Sequence, residues 1–208
     1  MEAEGILEDT VVIYTSDQGM FLGEHDYQDK RWSFEESLRT PLLIRYPREI
    51  PAHTNCTELM ANIDIAPTLL DYAEISIPEN MQGISCRNMI AGKPQEEYHK
   101  GIYFRYWMHL AHQHDNPAHY GVRTKDYKLT FYYGLALDAE GAVDKPTQPG
   151  WELYDLQKDP SELKNVYEDP AYYEIREELK GLLCELKEKY QDQDEAYVEL
   201  QRTFEKYK

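Results

Sequence analysis

The chain has 208 residues, 41% of them hydrophobic and 12% aromatic, enough for one domain or two small ones and too apolar for wholesale disorder. Its 22 basic and 39 acidic residues leave a formal charge of −17, which argues against nucleic acid and anionic membranes as partners. The longest apolar runs are only a few residues, so no membrane span is expected, and the acidic opening MEAEGILEDT reads unlike a secretory signal.

Thr10–Thr15 is a β-branched and aromatic run ended by Ser16-Asp17-Gln18-Gly19. Leu42–Tyr46, bounded by Pro41 and Pro47, is a second such run. Apolar runs without alternation predict buried strands of a parallel, two-sided sheet. Ile65–Tyr72 has helical spacing, with Asp64 as N-cap and Pro67 in the first turn. Strand, turn, strand and helix make an α/β signature over residues 1–95.

The character changes near Ala91-Gly92-Lys93-Pro94, so residues 96–208 are expected to form a second unit. Gly101–Trp107, Tyr120–Thr124, Tyr127–Tyr133 and Trp151–Leu156 read as short strands of an antiparallel sheet, with Lys125-Asp126 in a hairpin turn. Asp138–Gly150 reads as a loop. Asp169 and Pro170 are the N-cap and first position of a long helix with an apolar stripe at Ile175, Leu179, Leu182, Leu183, Leu186 and Tyr190. Tyr197, Leu200 and Phe204 predict a last short helix.

Taken singly, the polar motifs are weak. Asp17 and Gln18 offer hard oxygen donors, suited to calcium or magnesium, at the end of a predicted strand where α/β sheets bind ligands. Gly23-Glu24-His25 and Asp29-Lys30-Arg31 form a charged loop in which Lys30, a compact point charge, suits a tetrahedral oxyanion. The three cysteines, Cys56, Cys86 and Cys184, form no C-x-x-C pair and read as free thiols.

Taken in order, the motifs are specific. Thr15-Ser16-Asp17-Gln18-Gly19, Leu22-Gly23-Glu24-His25, Asp29-Lys30-Arg31 and Glu35–Leu42 are followed by Asn62–Asp71 and Met81-Gln82-Gly83. Gly121–Leu129, Trp151–Leu156, Lys158-Asp159-Pro160 and Glu162–Asn165 complete the set. Together they resemble the C-terminal half of the formylglycine-dependent sulfatases of the alkaline-phosphatase-like superfamily, most closely the branch acting on sulfated sugars. The resemblance implies a partial alkaline-phosphatase-like sheet over 1–95 and a small antiparallel sheet with a long terminal helix over 96–208. It implies Asp17 and Gln18 as two ligands of one Ca²⁺, and Lys30 as the lysine that touches the sulfate. Gln18 stands where many members carry Asn or His.

His25 falls in the same loop, with a sugar-facing and a structural role both open. Four histidines crowd Tyr106–His119 among aromatics, and His109 and His119 are the first choices for contacts to sugar hydroxyls. The expected partners are a sulfated carbohydrate and the N-terminal half of the same enzyme; the full enzyme would be periplasmic, secreted or lysosomal. The family's nucleophile motif, C/S-x-P-x-R, does not occur: Cys56 precedes Thr-Glu-Leu, Cys86 precedes Arg-Asn-Met and Cys184 precedes Glu-Leu-Lys. The chain by itself is therefore expected to be inactive and to expose sheet edge and apolar surface. Two alternatives stay open: a non-catalytic calcium- or carbohydrate-binding remnant, and a phosphodiesterase or phosphatase of the same superfamily.

Overall fold

The computed structural model describes residues 1–93 and 98–208. In chain order the elements are β1 (Val12–Thr15), β2 (Phe21–Leu22), β3 (Gln28–Asp29), α1 (Glu35–Leu38), β4 (Leu42–Arg45), α2 (Ile65–Tyr72) and α3 (Arg87–Ile90). They continue with β5 (Ile102–Tyr106), β6 (His119–Arg123), β7 (Tyr127–Tyr132), β8 (Gly150–Asp155), α4 (Tyr173–Lys189) and α5 (Val198–Tyr207). The chain is mixed α/β. It divides into two compact units, Met1–Gly19 with Leu38–Lys100, and Met20–Ser37 with Gly101–Lys208. The boundary expected between residues 95 and 96 falls in positions 94–97, outside the described residues.

In the first unit β1 and β4 pair antiparallel, Val12 opposite Arg45 and Thr15 opposite Leu42. This corrects the parallel arrangement expected from their apolar runs. Such a run reports residues suited to burial on both faces, not the direction of the neighbouring strand, and here Tyr14 and Leu43 are 65% and 67% exposed. Helix α2 has the expected bounds, but Asp64 does not cap it through its side chain. The fully buried carboxylate instead accepts from Ala61 N–H (2.7 Å), Ile84 N–H (2.9 Å) and His99 Nε2 (2.8 Å), tying three stretches of chain together.

In the second unit β5-β6-β7-β8 form an antiparallel meander. The turn at Lys125-Asp126 is closed by Thr124, whose Oγ1 accepts from Tyr127 N–H at 3.0 Å. Tyr120, Val122, Leu129, Phe131, Trp151 and Leu153 turn one face of the sheet into the core, where they meet Leu179, Leu183 and Leu186 of α4 and Leu200 of α5. The start of the terminal helix combines both helix types. Asp169 accepts from Ala171 N–H at 3.0 Å, Pro170–Tyr172 forms a 3₁₀ turn, and α4 follows. The other elements fall within a residue or two of their expected bounds. Cys56 and Cys184 are exposed free thiols, and burial pushes the Cys86 thiol up to about 12. No helix among the described residues is long and apolar enough to cross a membrane.

Candidate substrate-binding cleft

The chain leaves the first unit at Gly19, joins the second as Met20–Ser37, and returns at Leu38. The excursion folds on a small aromatic cluster: Phe21 and Phe34 are buried with Tyr154 and Leu156, and Tyr27 and Trp32 pack against them. β2 and β3 form a two-residue ladder, Phe21 opposite Asp29 and Leu22 opposite Gln28. Between and beyond these strands the backbone turns sharply. His25, Asp26, Asp29 and Arg31 all have positive φ, a region uncommon for non-glycine residues, tolerated best by Asp, Asn and His and less by a residue such as Arg31.

This folding opens a cleft of about 480 Å³. One wall is Asp26–Lys30 with Trp32; the other is Gln113–Asn116, from the loop between β5 and β6. Lys30 is half-buried and lines the cleft. Beside it, Arg31 Nη1 pairs with Asp29 Oδ2 and lies 3.1 Å from His114 Nε2. The guanidinium only donates, so His114 Nε2 accepts in this arrangement. The hydrogen bond from Arg31 holds the Asp29 carboxyl below the usual carboxylate range, against the opposing effect of burial. Tyr27 and Trp32 stack at 4.9 Å with nearly parallel rings and supply an apolar platform at the edge of the cleft. Asn116 lines the same cleft with only 2% exposure, and its Nδ2 is buried with no hydrogen-bond partner among the described residues. Such a group costs free energy unless a ligand or water satisfies it.

The residues picked out from the sequence separate into three groups. Lys30 stands at the cleft. His25 lies in the aromatic cluster, stacked on Phe34 at 4.0 Å with its Nε2 3.6 Å from Glu36 Oε2. His109 and His119 lie in the interior. His109 Nε2 donates to Lys145 O at 3.0 Å, and its Nδ1 accepts from Ala118 N–H at 3.0 Å, so both nitrogens are used inside the fold. His119 Nδ1 donates to Pro117 O at 2.8 Å and its ring lies between Tyr106 and Tyr132. Burial lowers His119 to about 4, which keeps the imidazole neutral. Neither of these two histidines lines the cleft; His114, a neighbour in the same crowded stretch, does.

Asp17 and Gln18 follow β1 in the first unit. Asp17 Oδ1 accepts from Gln18 N–H (3.0 Å) and from Ser16 Oγ (3.2 Å), and the Asp17 side chain is exposed. The carboxylate and amide oxygens suit a hard cation, which takes six to eight oxygens as calcium, so two side chains furnish part of a coordination shell. Among the described residues no group of three or more His, Cys, Asp or Glu side chains converges as a metal site.

A family model described as N-sulphoglucosamine sulphohydrolase, C-terminal, matches residues 23–189. The chain belongs to this sulfatase family. It is 38% identical over 196 residues to an N-acetylglucosamine-6-O-sulfatase of Bacteroides thetaiotaomicron, covering 93% of the chain and 33% of the relative. It is 31% identical over 200 residues to an arylsulfatase of Clostridium perfringens, covering 94% and 36%. A solved structure of a protein in complex with its substrate D-glucosamine-2-N,6-O-disulfate superposes with a TM-score of 0.83 at 38% identity, covering 95% of this chain and 38% of that one. A 2-O glycosaminoglycan sulfatase superposes with a TM-score of 0.75 at 27% identity, covering 92% and 38%. The chain thus spans about a third of the length of these curated relatives. These comparisons bear out the mixed α/β sulfatase fold expected from the ordered motifs.

Proposed function

We propose that this chain is the C-terminal portion of a sulfatase that hydrolyses sulfate esters of sulfated sugars, and that its cleft holds the sugar. The observation that carries the reading is the cleft itself: Lys30 stands beside the Asp29–Arg31–His114 triad and the unpartnered, buried Asn116 amide, over a Tyr27–Trp32 platform. Lys30 binds the anionic sulfuryl group, a tetrahedral oxyanion matched by a three-donor point charge. Asp29, His114 and Asn116 hydrogen-bond sugar hydroxyls, and Arg31 fixes their orientation. The aromatic platform packs on the apolar face of the ring.

Asp17 and Gln18 are read as two of the ligands of one calcium ion. Such a cation, when bound, neutralises sulfuryl oxygens and eases attack on sulfur. The nucleophile, a formylglycine in this reading, and further metal ligands belong to the two thirds of the relatives' length that these residues do not match. The proposed partner is therefore the N-terminal portion of the same enzyme. Because C/S-x-P-x-R does not occur in the 208 residues, this polypeptide alone binds and does not turn over.

The test is a calorimetric titration with D-glucosamine 6-sulfate. Lys30→Ala is expected to weaken binding by about 10- to 100-fold, as befits a hydrogen bond to a charged group worth about 1.5–3 kcal/mol. Unchanged affinity would remove Lys30 from the site.

A further inference from the structure

The second unit also holds a buried ionic network that the proposed chemistry does not use. Lys128 of β7 is fully buried, with its Nζ 2.5 Å from Glu162 Oε1 and 3.4 Å from Glu35 Oε1. Glu162, itself buried, accepts from Glu35 N–H at 2.7 Å through its other oxygen. Arg123 of β6 closes the set, donating from Nη2 to Glu35 Oε2 at 3.0 Å and from Nε to Oε1 at 3.3 Å. Burial alone would push the Glu35 carboxyl up; the bonds and charge of Arg123 and Lys128 overcome it and hold it low. Burial leaves Glu162 raised despite Lys128.

A buried ion pair is a poor way to stabilise a fold, because desolvation consumes most of its Coulombic gain. What it can do is fix a position. Glu35 begins α1, and Ser37 in the same helix is buried, its Oγ accepting the N–H of Arg31 at 2.9 Å. Two further bonds reinforce the attachment: Ser33 Oγ lies 2.8 Å from Tyr132 OH and accepts from Thr130 Oγ1 at 3.1 Å. Arg31 and Asp29, the two neighbours of Lys30, both hold positive φ, at 94° and 72°. The bond to Ser37 is thus the clamp on one side of Lys30.

We infer that Lys128 and Glu162 are positioning residues, acting through Glu35 and Ser37 to hold the strained Asp29–Lys30–Arg31 turn at the cleft. The functional part of this inference rests on the reading of Lys30 as the sulfate-binding lysine. The mechanical part does not, and is tested by itself.

The experiment is residue-resolved amide hydrogen exchange on the full chain, paired with titration of D-glucosamine 6-sulfate. Ser37→Ala is expected to speed exchange of the Arg31 amide roughly tenfold, the loss of about one hydrogen bond. The amides of β6 and β7 should keep their protection. Glu162→Leu is expected to speed exchange across residues 26–32, and Glu162→Gln, whose amide oxygen still accepts from Glu35 N–H, to restore most of it. If Glu162→Leu fails to fold, Lys128→Met combined with Glu162→Gln, which removes both buried charges, carries the test: unchanged exchange across residues 26–32 in that variant overturns the role of the pair. Affinity for the sulfated sugar should fall in step with the faster exchange, and approach that of Lys30→Ala. Unchanged exchange at Arg31 in Ser37→Ala overturns the inference, and faster exchange with unchanged affinity overturns its functional part. If the unsubstituted chain binds no sulfated sugar while the Arg31 amide still responds, the reading of Lys30 fails and the clamp on the turn stands.

Discussion

Arg31 Nη1 and His114 Nε2 lie 3.1 Å apart although 83 residues separate them in the chain. The contact joins the two walls of the cleft, the excursion that carries Lys30 and the loop between β5 and β6. His114→Ala should therefore weaken binding of D-glucosamine 6-sulfate by about tenfold, the value of one hydrogen bond of about 1.4 kcal/mol. Arg31→Met should weaken it similarly, because it removes the single nitrogen, Nη1, that meets both Asp29 and His114. Calorimetry on both variants checks this; wild-type affinity in His114→Ala would exclude the loop from sugar recognition.

Lys128→Met leaves Glu162 as a buried carboxylate with only the Glu35 N–H for company. Breaking a buried pair from one side costs about 3–5 kcal/mol. Lys128→Met combined with Glu162→Gln removes both charges and should recover more than half of that loss. Urea denaturation of the two variants separates these outcomes. A double variant no more stable than the single one would contradict this account of the network.

Gly121 lies where β6 meets β5 and β7 closely. A Cβ there would stand 2.3 Å from Leu129 O and 2.5 Å from Phe104 Cζ. Gly121→Ala must push the sheet apart, and overpacking of this kind costs about 1–3 kcal/mol. The expected result is a lowered thermal midpoint with an otherwise native circular dichroism spectrum.

His119 supplies a pH dependence of definite sign. Burial lowers it from 6.5 to about 4, so between those values the unfolded chain binds a proton that the folded chain refuses. Stability from this group is complete above pH 6.5 and is lost as pH falls towards 4, by an amount on the order of 3 kcal/mol. The difference in stability between wild type and His119→Phe should change across that window and be flat above pH 7. Denaturation midpoints at several pH values measure it, and a difference independent of pH would mean that the imidazole takes up its proton as readily in the fold as in the unfolded chain.

Much of the architecture could be read in advance because it rests on local signals. The apolar stripe from Leu179 to Leu186 became the face of α4 that packs on the sheet, and Asp169-Pro170 marked its start. The ordered motifs carried the family. What escaped the reading depends on tertiary partners. His109 and His114 are five residues apart in the same stretch, yet His109 bonds Ala118 and Lys145 in the interior while His114 meets Arg31 at the cleft. Nothing local distinguishes them. Lys128 likewise sits among alternating strand residues, and its burial becomes apparent only when Glu35 and Glu162 arrive from distant segments. The direction of β1 against β4 was missed because apolarity specifies burial, whereas direction is set by how the chain connects.

The central claim is that the cleft recognises a sulfate ester on a sugar. It is tested most directly by titrating the chain, with calcium present, with D-glucosamine 6-sulfate and with unsulfated D-glucosamine in parallel. The account predicts that the sulfated sugar binds at least tenfold more tightly, about 1.4 kcal/mol or more, and that Lys30→Ala erases the difference. Equal affinity for the two sugars, or a sulfate preference that survives Lys30→Ala, would contradict it.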